Sequence, residues 1–181
     1  MKTTLLLFAA FSLTATVFSQ NYPIGHTTIT FNDPDRTGGF GSGGGPGRQI
    51  QSEIYYPAAS NGQDTPAANG AFPVIVFGHG FVMSWDAYEN LWEEFVPRGY
   101  IMVFPRTEGD LLGTDHQAFG WDLQLLVTEM QSLGADPNSL FYESVKEETA
   151  LMGHSMGGGA SFLAADSLCV NGNNNLKTLV G

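Results

Sequence analysis

The stretch that most constrains this chain is Thr149-Ala-Leu-Met-Gly-His-Ser-Met-Gly-Gly-Gly-Ala160. Ala150-Leu151-Met152 is a short apolar run of the kind that fills a buried strand. Gly153-His154-Ser155-Met156-Gly157 follows, a G-x-S-x-G pattern, and Gly158 to Ala165 then supplies the small and apolar residues of a helix. Strand, sharp turn and helix form the context in which this pattern makes a nucleophile elbow. Such a turn forces the serine backbone into strained geometry, and the flanking glycines remove Cβ atoms that would clash. Ser155 is thereby lifted clear of the sheet at a helix N-terminus, where developing negative charge is favoured. The plainer alternative is a glycine-rich turn with an incidental serine; the rest of the chain argues against it.

Upstream, Thr27 to Phe31 alternates apolar and polar residues and reads as a first strand. Arg48 to Tyr56 alternates again, with Ile50, Ser52, Ile54 and Tyr56 on one face and Gln49, Gln51, Glu53 and Tyr55 on the other. The two predict an antiparallel hairpin. The Gly/Ser-rich segment 37–47 between them reads as a flexible connector. No Lys-Ser or Lys-Thr follows it, so it carries no phosphate-binding signature. Pro73-Val-Ile-Val-Phe77 and Ile101-Met-Val-Phe104 are continuous apolar runs, typical of strands covered on both faces of a parallel sheet. Between them Trp85, Tyr88, Leu91, Trp92, Phe95 and Val96 fall on one helical stripe. Asp115 or Thr114 caps a further helix to about Leu133, with Phe119, Leu123, Leu126, Met130 and Leu133 facing inward and Trp121 packed. Leu176 to Val180 begins one more strand. A hairpin followed by alternating strands and helices predicts an α/β layered domain with a mostly parallel sheet.

The chain has 181 residues and a net charge of -11, enough length for one domain and the wrong sign for nucleic acid or an anionic membrane. Lys2 followed by an apolar stretch from Leu5 to Val17 reads as a signal peptide at residues 1–19, cleaved after Ser19. That leaves a domain at 20–181 in a secreted or periplasmic protein. The leader is too short for a membrane span and no other segment offers one. The single cysteine, Cys169, has no internal disulfide partner and is expected in the core.

Three pieces now stand in order: the strand end Ile54-Tyr55-Tyr56-Pro57-Ala58, the strand end Val76-Phe77-Gly78-His79-Gly80-Phe81, and the elbow Gly153-His154-Ser155-Met156-Gly157. Together they resemble the α/β-hydrolase superfamily, and within it secreted carboxylesterases of the chlorophyllase-like and polyester- or cutin-hydrolysing branch. The resemblance covers roughly His26 to Gly181 and implies a three-layer α/β sandwich. It implies Ser155 as nucleophile, with an oxyanion hole formed by the backbone N–H groups of Met156 and Phe81. The implied activity is hydrolysis of small or polymeric carboxylic esters without a cofactor.

A serine hydroxyl needs a base, and in this superfamily the order is Ser, then Asp or Glu, then His. After Ser155 the sequence holds one acid, Asp166, and no histidine. Asp166 lies on the elbow helix itself and is a poor triad acid. The triad acid and base are therefore expected outside these residues, with the chain ending just after the start of its sixth strand. Of the upstream histidines, His154 is expected to pack, His79 to organise the oxyanion loop, and His26 to lie at the surface before the first strand; His116 remains a substitute base. The histidines are scattered and form no metal-ligand motif. Two further readings stay open: a truncated or degenerate hydrolase domain without activity, and peptidase or acyltransferase chemistry on the same elbow.

Overall fold

The computed structural model describes residues 21–181; the leader expected at 1–19 lies outside them. Along the chain the elements are β1 (Ile24–Asp33), β2 (Gly39–Phe40), β3 (Arg48–Pro57), β4 (Gly62–Gln63), β5 (Phe72–Gly78), α1 (Glu89–Phe95), β6 (Ile101–Pro105), α2 (His116–Ala135), β7 (Val145–Gly153), α3 (Met156–Val170) and β8 (Leu176–Val180). Short 3-10 turns, Trp85–Tyr88 and Val96–Arg98, flank α1.

The strands form one mixed sheet in the order β4-β1-β3-β6-β5-β7-β8, with β2 beside β3. β1 and β3 are the expected antiparallel hairpin, in register from Ile24 opposite Pro57 to Asp33 opposite Arg48. β3 joins β6 antiparallel, and β6, β5, β7 and β8 then run parallel. The alternation of the apolar runs explains the three layers. Ile54, Tyr56, Val74, Val76, Ile101, Val103 and Leu151 point to one side, where they meet Phe119, Leu123, Leu126 and Met130 of α2 and Met156, Ala160, Ala164 and Leu168 of α3. Tyr55, Ile75, Phe77, Met102 and Phe104 point to the other, against Tyr88, Trp92 and Val96. Each buried Val, Leu, Ile, Met or Phe of this set contributes about 1.5–3 kcal/mol. α1 ends where the turn Val96–Arg98 meets Gly99 in the left-handed region at φ 91°. α2 starts at Asp115, whose carboxylate accepts the N–H groups of Gln117 and Ala118.

Several expectations are corrected. Cys169 is exposed, because Ala160, Ala164 and Leu168 set the inward phase of α3 and Cys169 lies one residue past it. Trp121 is 43% exposed and holds the Arg36 guanidinium 5.7 Å above its ring. His26 is inside β1, half-buried, stacked on Tyr55 at 4.5 Å, with Nε2 2.7 Å from Glu53. Its ring is sheltered because the outer face of β3 is itself covered at Glu53 and Tyr55. The segment 37–47 is not merely a connector. Gly39 and Phe40 pair with Gln49 and Ile50, and the Gly44 N–H donates to the Gln49 side chain at 3.0 Å.

Candidate active site

β5 and β7 end side by side, with Gly78 opposite Gly153. The His154 N–H donates to the Gly78 carbonyl at 3.0 Å, and α3 begins immediately after. A Cβ on Gly153 would lie 2.3 Å from the Gly157 backbone, and one on Gly78 would lie 2.9 Å from it. Only glycines allow two strand ends and a helix start to meet this closely.

Ser155 occupies the turn with φ 54° and ψ -113°, a region that L-residues rarely adopt. Such a conformation stores ~1–3 kcal/mol of strain and persists only where its surroundings impose it. Ser155 is exposed, and its hydroxyl does not cap the helix that follows. Its side chain is therefore free to meet a ligand, directly above the first turn of α3.

The loop after β5 is a tight turn in which the Met83 N–H donates to the Gly80 carbonyl at 3.1 Å. Its central residues are Phe81, half-exposed, and Val82, at φ 55°. A β-branched residue with positive φ is a strained exception. Among the described residues neither the Phe81 N–H nor the Met156 N–H donates to a protein acceptor. The Gly80 N–H, in contrast, is engaged by the Tyr88 hydroxyl at 2.7 Å.

His79 is buried, with Nε2 2.8 Å from the Thr107 carbonyl and its ring 4.7 Å from Phe119. An N–H at Nε2 donates to that carbonyl and anchors the loop. Thr107 in turn donates its hydroxyl to Asp122 at 2.6 Å. Asp122 is fully buried on α2, with Arg48 Nε and Nη2 each 2.8 Å from its two oxygens. Arg36 Nη2 stands 2.8 Å from Asp122 without hydrogen-bond alignment. Arg48 also reaches Glu108 at 2.6 Å, and hydrogen bonds from Arg48 to the two acids raise its pKa further above its ordinary value despite burial. Sequence reading missed this network. Its signal was Asp122 lying between Phe119 and Leu123, a charge inside the apolar stripe of α2.

His154 is exposed rather than packed in the core, with Nδ1 3.0 Å from the Tyr88 hydroxyl. The remaining histidines are elsewhere: His26 bonds to Glu53, His79 to Thr107, and His116 opens α2. Asp166 is on α3, eleven positions past Ser155 in the sequence. The structure thus joins the loop residue Phe81 and the elbow residues Ser155 and Met156 at one corner of the sheet, and it pairs none of the histidines with the Ser155 hydroxyl. Beside this corner is a cavity of about 480 Å³, lined by His79, Val82, Met83 and Trp85 of the loop and by Phe40, Arg106 and Leu112 across from it.

The sheet order, the elbow and the strained serine together define a protein with the α/β-hydrolase fold. Two solved structures carry the same fold. A ferulic acid esterase from Streptomyces cinnamoneus superposes with a TM-score of 0.60 at 16% identity, over 85% of this chain and 58% of its own. Brefeldin A esterase, a bacterial homologue of human hormone-sensitive lipase, superposes with a TM-score of 0.60 at 15% identity, over 90% of this chain and 40% of its own. This chain therefore spans about half the length of these structures. No curated protein sequence matches it. The chlorophyllase family model matches residues 49–181, and the chain belongs to that family.

Proposed function

We propose that the protein is an exported serine hydrolase that cleaves carboxylic esters through an acyl-enzyme on Ser155. The observation that carries this reading is the strained, exposed Ser155 at the start of α3, with the Met156 N–H after it and the Phe81 N–H of the adjoining loop both without protein acceptors. The esterases that share the fold support it. The Ser155 oxygen attacks the ester carbonyl carbon as a base removes its proton. Negative charge moves to the carbonyl oxygen, where the two N–H groups and the N-terminus of α3 stabilise it. Collapse of this intermediate breaks the C–O bond, and the alcohol leaves with the proton from the base. Water then attacks the acyl-enzyme by the same route and frees the acid.

The chemistry requires a base, and the histidines of the described residues are committed to other partners or set on other elements. The triad histidine and its acid are therefore proposed to come from outside residues 21–181. A second reading rests on this same observation: a hydrolase-fold domain that binds esters without turning them over. The Ser155→Ala variant of the full-length protein separates the two. Loss of short-chain p-nitrophenyl ester hydrolysis with the fold retained supports the esterase. Activity kept within tenfold removes Ser155 from the mechanism, and an inactive wild type supports the second reading. Export by residues 1–19 is part of the proposal; a secreted or periplasmic product beginning at Gln20 supports it, and an intact cytoplasmic N-terminus refutes it.

A further inference from the structure

Tyr88 closes the turn Trp85–Tyr88, seven residues after Phe81, and its ring lies 4.6 Å from Phe77 at the end of β5. The ring is buried among apolar side chains, yet the hydroxyl meets three polar or polarisable atoms. It accepts the Gly80 N–H at 2.7 Å, contacts His154 Nδ1 at 3.0 Å and contacts the Met83 sulfur at 3.1 Å. These atoms come from the oxyanion loop and from the elbow residue next to Ser155. A Cβ on Gly80 would stand 2.8 Å from His154 Nδ1 and 2.9 Å from the Met83 sulfur, so the cluster is closed around that glycine.

A phenol hydroxyl has one proton and lone pairs that accept. With the Gly80 N–H donating to its oxygen, its own proton is available for Nδ1 of a neutral His154. That hydrogen bond joins the loop to the elbow. It also fixes which amide of the loop is spent. The Gly80 N–H is consumed inside the protein, and the next amide, the Phe81 N–H, is left without a protein acceptor. Burial raises the Tyr88 pKa, so the hydroxyl keeps its proton through the neutral range.

We propose that Tyr88 is a positioning residue that locks the oxyanion loop to the nucleophile elbow through Gly80 and His154, so that Phe81 rather than Gly80 presents the oxyanion donor. This rests on the esterase reading of Ser155 for its kinetic consequence but not for its structural one. Removing one oxyanion donor reduces kcat by about 10²–10³-fold, and loosening one costs less.

The test is Tyr88→Phe in the full-length protein, which removes the oxygen and keeps the ring on Phe77. Hydrogen exchange at the Gly80 amide should quicken at least about tenfold, and the His154 imidazole nitrogen resonances should shift. The kcat for short-chain esters should fall about 10- to 100-fold with KM within about twofold. His154→Leu cuts the elbow side alone, so the Gly80 amide should stay protected while kcat falls. Unchanged Gly80 exchange and His154 resonances in Tyr88→Phe would overturn the lock. An unchanged kcat alongside a dead Ser155→Ala would overturn its role in positioning. An inactive wild type defeats only the esterase reading, because the exchange and resonance measurements still decide the lock.

Discussion

Gly157 meets Gly78 so closely that a Cβ on Gly157 would sit 2.0 Å from the Gly78 carbonyl oxygen and 2.6 Å from that of His79. Both neighbours are backbone, at the very end of β5, and backbone there cannot yield without opening the oxyanion loop. Gly157→Ala is therefore expected to destabilise the protein by about 3 kcal/mol, the upper end for overpacking. At this chain length that lowers Tm by roughly 10 °C. Gly159→Ala is the control. Nothing stands within 4 Å of its Cβ position, and it lies inside α3. Helix propensity makes that substitution stabilising by about 0.5–1 kcal/mol. Thermal denaturation of the two variants checks both signs; a Gly157→Ala protein as stable as the wild type would mean the joint is looser than described.

The strain at Ser155 is a separate, measurable quantity. At φ 54° an alanine suffers the same Cβ crowding as serine, whereas glycine does not. Ser155→Gly is expected to be more stable than Ser155→Ala by about 1 kcal/mol. Both variants lack the hydroxyl, so the difference reports backbone strain less the unfolded-state entropy that glycine adds. Denaturant titration of the pair decides it. Equal midpoints would mean that the strain is no larger than that entropy term.

The ion network behind the loop gives the largest expected effect. Asp122 is fully buried and ties α2 to Arg48 of β3 and to Thr107 beside His79. Asp122→Ala leaves the Arg48 guanidinium buried with only Glu108 to face, at an expected loss of about 3–5 kcal/mol. Arg48→Met combined with Asp122→Leu removes both charges and is expected to lose much less than the two single changes added together. A double-mutant cycle measures this coupling; simple additivity would show that the pair does not act as a unit.

The sequence was most legible where the period of apolar residues is unbroken. Val74, Val76, Ile101 and Val103 alternate with Ile75, Phe77, Met102 and Phe104, and each set found its own helix layer. The hairpin followed from alternation along Arg48 to Tyr56 for the same reason. Elements whose partners lie far along the chain were illegible. Tyr88 read as one more member of an apolar stripe, because nothing local says that its hydroxyl reaches Gly80 and His154. Cys169 was misjudged by one residue of helical phase. His26 was misjudged because its shelter comes from Tyr55, 29 positions beyond it in sequence.

Glu53 sets the acid limb of stability. Burial pushes its carboxyl up, but hydrogen bonds from His26, Thr28 and Arg106 outweigh this and hold its pKa below the ordinary 4.5. A group whose folded pKa is depressed stabilises the fold above its unfolded pKa and loses that contribution as pH falls through its folded value. The contribution of Glu53 is thus complete at neutral pH and begins to be lost below about pH 4.5. Asp33 is also held low, with burial opposed and outweighed by Arg36, so it adds to the same limb. Glu53→Gln should be less stable than the wild type at pH 7, and the gap should narrow as the pH falls below about 4.5 and through the lowered pKa of Glu53. The Asp33 contribution remains in the variant, so its acid limb is shallower rather than flat. Urea titrations at pH 7, 5, 4 and 3 measure the gap directly. A gap that stays constant down to pH 3 would mean that His26, Thr28 and Arg106 do not hold the Glu53 carboxylate in its charged form.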